Sequence, residues 1–472
     1  MGEQKKSWSK PSIVLQQAGG VNKFNGFRDE FCQHDIDDVP VLPLLENYNS
    51  PLFIVSERRL RENVRRLMNA FTPLWPKVVH SWPYKTNYLG AVCNVLHQEG
   101  SLAEVVSDFE YAKAKQAGLS GQHITLNGPY KPENLLKQAI VDKAMINIDH
   151  FDELYAIEQI AKELSYKVKV GIRLNFNTSY SELWSRFGFN VENGEAMNAV
   201  LRIGSSKYLT LTGLHSHIGT FVLDTRAYAE QARIMCEFME QAETNIGCHI
   251  ETLNIGGGFA SCNALKGIYL SPEQIVPTME QYAIAITSCL KAATANREAA
   301  GKQLPTLVLE TGRAVVDDAE CLISRVVGNK RLPDGRRASI LDAGVNLMFT
   351  SFWYNHKIQP LRPLEGIAED TVLYGPLCMN LDVVNASVLL PPLNVGEPLM
   401  ISPAGAYNNT QWMQFIQYRP AVIMIMDNGQ VELIRSAEDL QSLNMLEHIP
   451  ASLIEPFSKG ARNNRKSPTH NS

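Results

Sequence analysis

One lysine, Lys85, lies in the stretch His80 to Gly90 (HSWPYKTNYLG), between the apolar pair Val78 and Val79 and an apolar helical run of Leu89, Val92, Val95 and Leu96. That pattern puts it at the end of a strand, at the mouth of an α/β fold. A partly desolvated ammonium there has its pKa lowered and becomes a nucleophilic amine, as a Schiff-base lysine requires. The plain alternative is an ordinary charge at a strand end. Lys85 alone does not separate the two.

Other polar clusters follow apolar runs. GLHSHIGT (Gly213 to Thr220) carries two histidines at alternate positions. They are too few ligands for a zinc site, and buried or surface imidazoles are the simpler alternative. His217 beside Ile218, Gly219 and Thr220 suits an imidazole face next to a ring and a nearby anion. NIGGGF (Asn254 to Phe259) is a glycine run directly after a strand. It either lets backbone N–H groups approach a phosphate or forms a flexible loop. It has neither a Walker lysine nor the Rossmann spacing. ETGR (Glu310 to Arg313) offers a local salt bridge, or a carboxylate for a pyridine nitrogen and a guanidinium for a phosphate. Cys378 in GPLCMNLD is a small buried hydrophobe, or an acid or nucleophile facing the mouth. Tyr407 in SPAGAYNNTQW reaches an anion or caps a loop. Together, an amine, a carboxylate, a glycine-rich loop, an Arg, a His and a Cys are what pyridoxal phosphate chemistry needs.

The elements that must position these residues follow a rhythm. PLFIVS (Pro51 to Ser56) is a compact apolar strand, and Ser56 can cap a helix with Leu60, Val64, Leu67 and Phe71 at helical spacing. PVLPLL before it leads to a turn. Eight strand-like runs then alternate with helical segments: Val78–Lys85, Leu102–Ser107, Ile124–Gly128, Met145–Asp149, Val168–Asn175, Thr210–Ile218, Thr252–Gly257 and Thr306–Arg313. This predicts a (β/α)8 TIM barrel with the polar strand ends at one mouth. After about residue 320, short runs bounded by Gly, Pro, Asn and Asp predict an antiparallel β-sandwich, with a hairpin at Asp427 to Gly429. The expected division is a barrel over 49–320, a β-sandwich domain from 1–48 and 321–457, and a disordered tail over 458–472.

Composition excludes several classes. The 472 residues are 45% hydrophobic and 20% charged, with a net charge of −5, so there is no electrostatic case for nucleic acid or an anionic membrane. Eight Cys without a CxxC pair read as reduced thiols of a cytoplasmic protein. No apolar run approaches the length of a membrane span, and MGEQKKSWSK has no apolar signal core. No metal site is expected.

With PLFIVSERRLREN, YKTN, GLHSHIGT, NIGGGF, ETGR, LDAG, GPLCMNLD, AGAY and YRPA in this order, the sequence resembles the fold-type III pyridoxal-phosphate decarboxylases. These are the diaminopimelate, ornithine and arginine decarboxylase group. The resemblance covers about residues 45 to 425. It implies an alanine-racemase-like barrel plus a β-sandwich, pyridoxal 5'-phosphate as cofactor, and a head-to-tail homodimer with shared active sites. It makes Lys85 the Schiff-base lysine, with His217 stacked on the ring and Thr220 near the phosphate. Gly256, Gly257 and Gly258 form the phosphate nest, and Gly312, Arg313 and Tyr407 complete it. Glu310 pairs with the pyridine nitrogen, and Cys378 crosses from the partner subunit to protonate the carbanion after CO₂ leaves.

Besides the sequence after AGAY (AGAYNNTQWMQF), which departs from the usual one, three departures stand out. Thr311 replaces the proline of the usual EPGR. Met379 stands where diaminopimelate and ornithine enzymes place an acid for the substrate's distal ammonium. Thr350 stands where diaminopimelate enzymes carry an Arg for the distal carboxylate, with Tyr354 nearby. The resemblance therefore implies an amino-acid decarboxylase with an altered substrate, a conjugated or modified amino acid as in siderophore or antibiotic pathways. Three other readings are a diaminopimelate decarboxylase of lysine biosynthesis, an amino-acid racemase and a non-catalytic regulatory homologue. Glu310 argues against the racemase, because alanine racemases place an Arg at the pyridine nitrogen. The presence of Lys85, Cys378 and the glycine run argues against the regulator.

Overall fold

In the computed structural model, which describes residues 32–453, the strand β1 (Leu52–Ser56) is buried along its whole length. It leads into α1 (Glu57–Phe71), and the Ser56 side chain accepts from the Arg59 N–H at 2.9 Å, satisfying a donor at the helix start. Leu60, Val64, Leu67 and Phe71 bury one face of α1, as their spacing predicts.

Eight parallel strands follow: β2 (Val78–Pro83), β3 (Leu102–Val105), β4 (Ile124–Leu126), β5 (Met145–Ile148), β6 (Val168–Asn175), β7 (Leu209–Ser216), β8 (Thr252–Asn254) and β9 (Thr306–Leu309). Each pairs with the next, β9 pairs with β2, and the sheet closes into the expected barrel. One irregularity sits between Leu211 and Gly213, where β7 pairs with both β6 and β8. The runs are nearly continuous in Val, Ile and Leu because helices cover the barrel outside and side chains fill it inside. Register places polar residues side by side at the strand ends. Arg173 of β6 opposes His215 of β7, which opposes Asn254 of β8, and Glu104 of β3 opposes Pro83 of β2.

A second, nine-stranded sheet joins β1 and the short strand Lys357–Pro360 to β10 (Glu320–Arg331), β11 (Arg337–Leu341), β12 (Glu369–Tyr374), β13 (Val383–Leu390), β14 (Pro398–Ser402), β15 (Ala421–Ile425) and β16 (Val431–Arg435). Most pairings are antiparallel, but β11–β12 and β1–β15 are parallel. β15 and β16 form the hairpin expected at Asp427 to Gly429, with Gly429 at φ 81°.

Two local expectations are corrected. β1 lies inside the range assigned to the barrel, yet it pairs with β10 and β15 in the second sheet. PVLPLL is not a lead-in segment but the start of a helix, Val41–Tyr48, where Pro43 sits in the first turn and interrupts no helical hydrogen bond, and the chain then bends at Ser50 and Pro51 within the expected turn. The tail over 458–472 and most of the segment before β1 lie outside the described residues. Among the described residues no helix is long and apolar enough to cross a membrane.

Below the glycine run, Phe259 stacks on Tyr282 at 4.2 Å and 3° and meets Tyr228 edge-on at 4.9 Å. All three rings are fully buried. Phe259→Ala should therefore destabilise the fold by about 3–5 kcal/mol, read as a lower melting temperature. An unchanged melting temperature would mean that these rings do not anchor the loop above them.

Candidate active site

The barrel mouth holds a cavity of about 560 Å³. β2 ends at Pro83, and a single 3-10 turn, Tyr84–Thr86, turns Lys85 into this space. The sheet domain pins the turn from the other side. The Tyr407 N–H donates to the Thr86 carbonyl and the Thr410 hydroxyl to the Lys85 carbonyl, both at 2.8 Å. Asn87 donates to Glu320 at 3.0 Å and to the Gly405 carbonyl at 3.2 Å.

Lys85 Nζ donates to Glu104. Its side chain is 39% exposed, whereas that of Glu104 is 1% exposed. This corrects the expectation of a lowered pKa. Burial does push the ammonium toward the neutral form, but Glu104 and then Glu310 outweigh it, and the Lys85 pKa is raised. The lysine is held as an ammonium by carboxylates that its own stretch does not contain.

Glu310, just past β9, is buried. Its Oε1 accepts from Asn127 at 2.8 Å and Asn254 at 2.7 Å, and its Oε2 lies 3.4 Å from His215 Nε2. Burial alone would raise its pKa. His215, Lys85 and the Asn254 amide reverse this and hold the carboxyl well below the usual carboxylate range. An ionised carboxylate in this position fits a protonated ring nitrogen.

His217 is pushed down to about 3 by burial and by the Arg173 and Lys85 charges, so its imidazole is neutral. Its Nδ1 accepts from the Gly257 N–H at 3.1 Å, and the Trp184 ring meets it edge-on at 5.3 Å. The Gly256 N–H is also committed, to Asn254 Oδ1 at 2.9 Å. The run is therefore not a nest of three equivalent N–H groups, and Gly256 lies behind the cavity lining while Gly257 and Gly258 are in it. The glycines are needed for close approach. A Cβ on Gly257 would lie 2.2 Å from the Glu310 carbonyl oxygen, and one on Gly258 2.3 Å from that of Gly219.

Gly312 and Arg313 complete this side. A Cβ on Gly312 would meet Thr86 Oγ1 at 2.2 Å. The Arg313 guanidinium is flanked by Tyr407 at 4.9 Å and Tyr354 at 5.0 Å, and its Nε and Nη1 are buried without a hydrogen-bond partner. Buried orphan donors of a fixed cation call for an anion. With the glycine contacts and the Lys85 amine, this donor set fits pyridoxal phosphate.

The cavity brings Lys85, His217, Thr220, Glu310, Gly312, Arg313, Thr350, Tyr354 and Tyr407 together with Gly257 and Gly258. Cys378 and Met379 are not in the lining. Cys378 is exposed on a loop that Asp382 clamps, accepting from the Leu377 N–H at 2.7 Å and the Val345 N–H at 2.8 Å. Thr350 is buried, with its hydroxyl 2.9 Å from Asn408 Oδ1 and 3.0 Å from His356 Nε2. Sequence reasoning assigned no role to Glu104, Asn127, Trp184 or Phe187, all of which line the cavity. The available signal for Glu104 was a charge inside an apolar run, LAEVVS.

A parallel barrel whose mouth carries a strand-end amine, an ionised buried carboxylate and an unsatisfied arginine beside a glycine loop defines a barrel enzyme of the pyridoxal phosphate class. The family described as pyridoxal-dependent decarboxylase, pyridoxal binding domain, matches residues 59–317. The chain belongs to this family and is a pyridoxal-phosphate-dependent carboxy-lyase. It is similar to the diaminopimelate decarboxylase of Methanothermobacter thermautotrophicus, 28% identical over 89% of this chain and 96% of that protein. To the Bacillus subtilis diaminopimelate decarboxylase it is 25% identical, over 88% and 94%. The crystal structure of the Methanocaldococcus jannaschii diaminopimelate decarboxylase, also solved in complex with L-lysine, superposes with a TM-score of 0.80 at 27% identity, covering 89% of this chain and 97% of that one.

Gly257→Ala should force the Glu310 backbone to shift, a strain of about 1–3 kcal/mol. Titration with pyridoxal phosphate should then show a dissociation constant raised about tenfold or more. Wild-type affinity would mean that the Gly257–Glu310 contact does not shape the site.

Proposed function

We propose that the chain decarboxylates an amino acid or amino-acid conjugate whose distal end carries neither a free ammonium nor a carboxylate that needs pairing. The observation behind this reading is the wall around Thr350. The hydroxyl of Thr350 is already engaged by Asn408 and His356, and Trp353, Tyr354, Phe221 and Leu265 line the same cavity. Phe221 and Tyr354 form an apolar cluster with Leu265 packed against it. No arginine stands at position 350 for a distal carboxylate, and Met379 offers no charge to a distal ammonium. An acyl-type conjugate of the kind made in siderophore or secondary-metabolite pathways belongs to this class.

Lys85 Nζ would be the amine for the cofactor's aldehyde carbon, and Glu104, which accepts from it, is the carboxylate placed to take the proton that the ammonium must shed. Bound at this site, pyridoxal phosphate supplies an electron-accepting ring for the pair left when CO₂ departs. Glu310 keeps the ring nitrogen protonated by remaining an acceptor. Arg313, Tyr407, Gly258 and Gly312 hold the phosphate, with Thr220 beside it. His217, neutral and backed by Trp184, presents a flat face to the ring without competing for its proton. Cys378 lies outside the cavity of its own chain, which supports a head-to-tail homodimer in which Cys378 of a second copy returns a proton to Cα. Reduced thiols and the absence of charge for membrane surfaces support a cytoplasmic location.

A second reading has a specific observation behind it. The relatives above are named for diaminopimelate, and similarity at 28% identity over 89% of the chain favours that substrate. CO₂ release from the cofactor-loaded protein, measured over diaminopimelate, ornithine, arginine, lysine and N-acylated diamino acids, separates the two. The proposal expects the conjugates to exceed diaminopimelate in kcat/KM by about tenfold or more, the scale of one mismatched buried charge. Diaminopimelate as the best substrate would overturn the reading of Thr350 and Met379.

A further inference from the structure

Two buried carboxylates, Glu104 and Glu310, share one donor. Asn127 Nδ2 lies 2.9 Å from Glu104 Oε1 and 2.8 Å from Glu310 Oε1. The orientation of the amide is fixed by its other end, because Asn127 Oδ1 accepts from Asn147 Nδ2 at 2.8 Å. Asn127 therefore turns its two N–H bonds to the two carboxylates. Asn254 adds a second donor to the same Glu310 oxygen, and its own Oδ1 is occupied by the Gly256 N–H. On the far side of Glu104 stands Lys85. The result is a continuous line from amine to carboxylate to amide to carboxylate, running across β2, β3, β4 and β9.

We propose that Asn127 is a positioning residue that lets Glu104 and Glu310 remain ionised together, Glu104 facing the Lys85 amine and Glu310 facing the cofactor's ring nitrogen. This rests on the reading of Glu310 as the partner of that nitrogen. Two carboxylates this close to one another ordinarily share a proton. Burial and then the Glu310 charge do push Glu104 up, and Lys85 and the Asn127 amide are the groups that pull it back toward the ionised form. Without the shared amide, one of them binds a proton, and either the amine loses its acceptor or the ring loses its counter-ion. The charged and titratable groups that face Glu310 are His80, Lys85, Glu104, Arg173, His215 and His217. His80 and His217, lowered to about 4 and about 3 by burial, are neutral and do not replace the amide as a source of positive charge.

The test uses pyridoxal-phosphate-loaded protein and the variants N127D, N127S, E310Q, E104Q and N127D/E104Q. Three readouts are taken: the pH midpoint of the visible absorbance of the bound cofactor, its dissociation constant, and kcat against KM for CO₂ release. N127D sets a third carboxylate between the two, and N127S removes the amide that donates to both. Both should move the pH midpoint by about one unit or more and weaken cofactor binding by about tenfold. The loss should fall on kcat rather than KM, since Asn127 acts through the charges. In N127D/E104Q the amide introduced by the second substitution supplies a donor to the carboxylate introduced by the first, so the pair should recover part of the N127D loss. A merely structural role gives no such charge-specific rescue. The proposal is overturned if N127D and N127S both stay within about twofold of wild type while E310Q moves the spectrum. It is overturned equally if the losses of N127D and E104Q simply add. A wild-type spectrum and wild-type turnover in E310Q would instead remove the assignment of Glu310 itself, and the proposal with it. Melting temperatures identify any variant that fails to fold, and the second Asn127 variant then carries the comparison.

Discussion

Two buried carboxylates face a single amine at the mouth of this barrel, and the rest of the site is arranged to make that tolerable. A carboxylate without partners in a barrel interior would bind a proton or destabilise the fold. Glu104 has Lys85 and Asn127; Glu310 has Asn127, Asn254 and His215 nearby. The partners come from different strands, so the cluster exists only when the barrel is closed and in register. Fold and site are thus one constraint: the parallel register that sets Arg173, His215 and Asn254 side by side also sets the charges.

The second sheet is part of the same arrangement. Its loop at Gly405 to Thr410 grips the backbone carbonyls of Lys85 and Thr86, and Asn87 reaches back to Glu320 at the start of β10. Tyr407 stands over Arg313 from this loop in a left-handed conformation, φ 68°. A non-glycine residue held there needs its surroundings to fix it. The sheet domain thereby supplies one wall of the cavity and the rigidity of the amine.

Much of this was legible in the chain. The eight apolar runs keep their period because each strand is buried on both faces, and all eight are barrel strands. The polar strand ends mark the mouth because a buried apolar strand has no other reason to end in Lys, Asn, His or Glu. What the chain hides is pairing. PLFIVS is apolar in the same way as the barrel strands, and nothing local says that it joins the second sheet. Glu104 lies within LAEVVS, 19 positions from its lysine, so burial alone gives the wrong direction for the Lys85 pKa shift. The glycine run was legible as a place of close approach. That two of its N–H groups are taken by Asn254 and His217 depends on side-chain geometry that spacing does not encode.

The central claim is that Lys85 is the amine that holds the cofactor. Borohydride reduction of the pyridoxal-phosphate-loaded protein, followed by proteolysis and mass spectrometry, tests it directly. The account predicts one pyridoxyl-modified peptide, carrying its label on Lys85. A label on Lys131 or Lys266, or protein that binds the cofactor and takes no label, would contradict it.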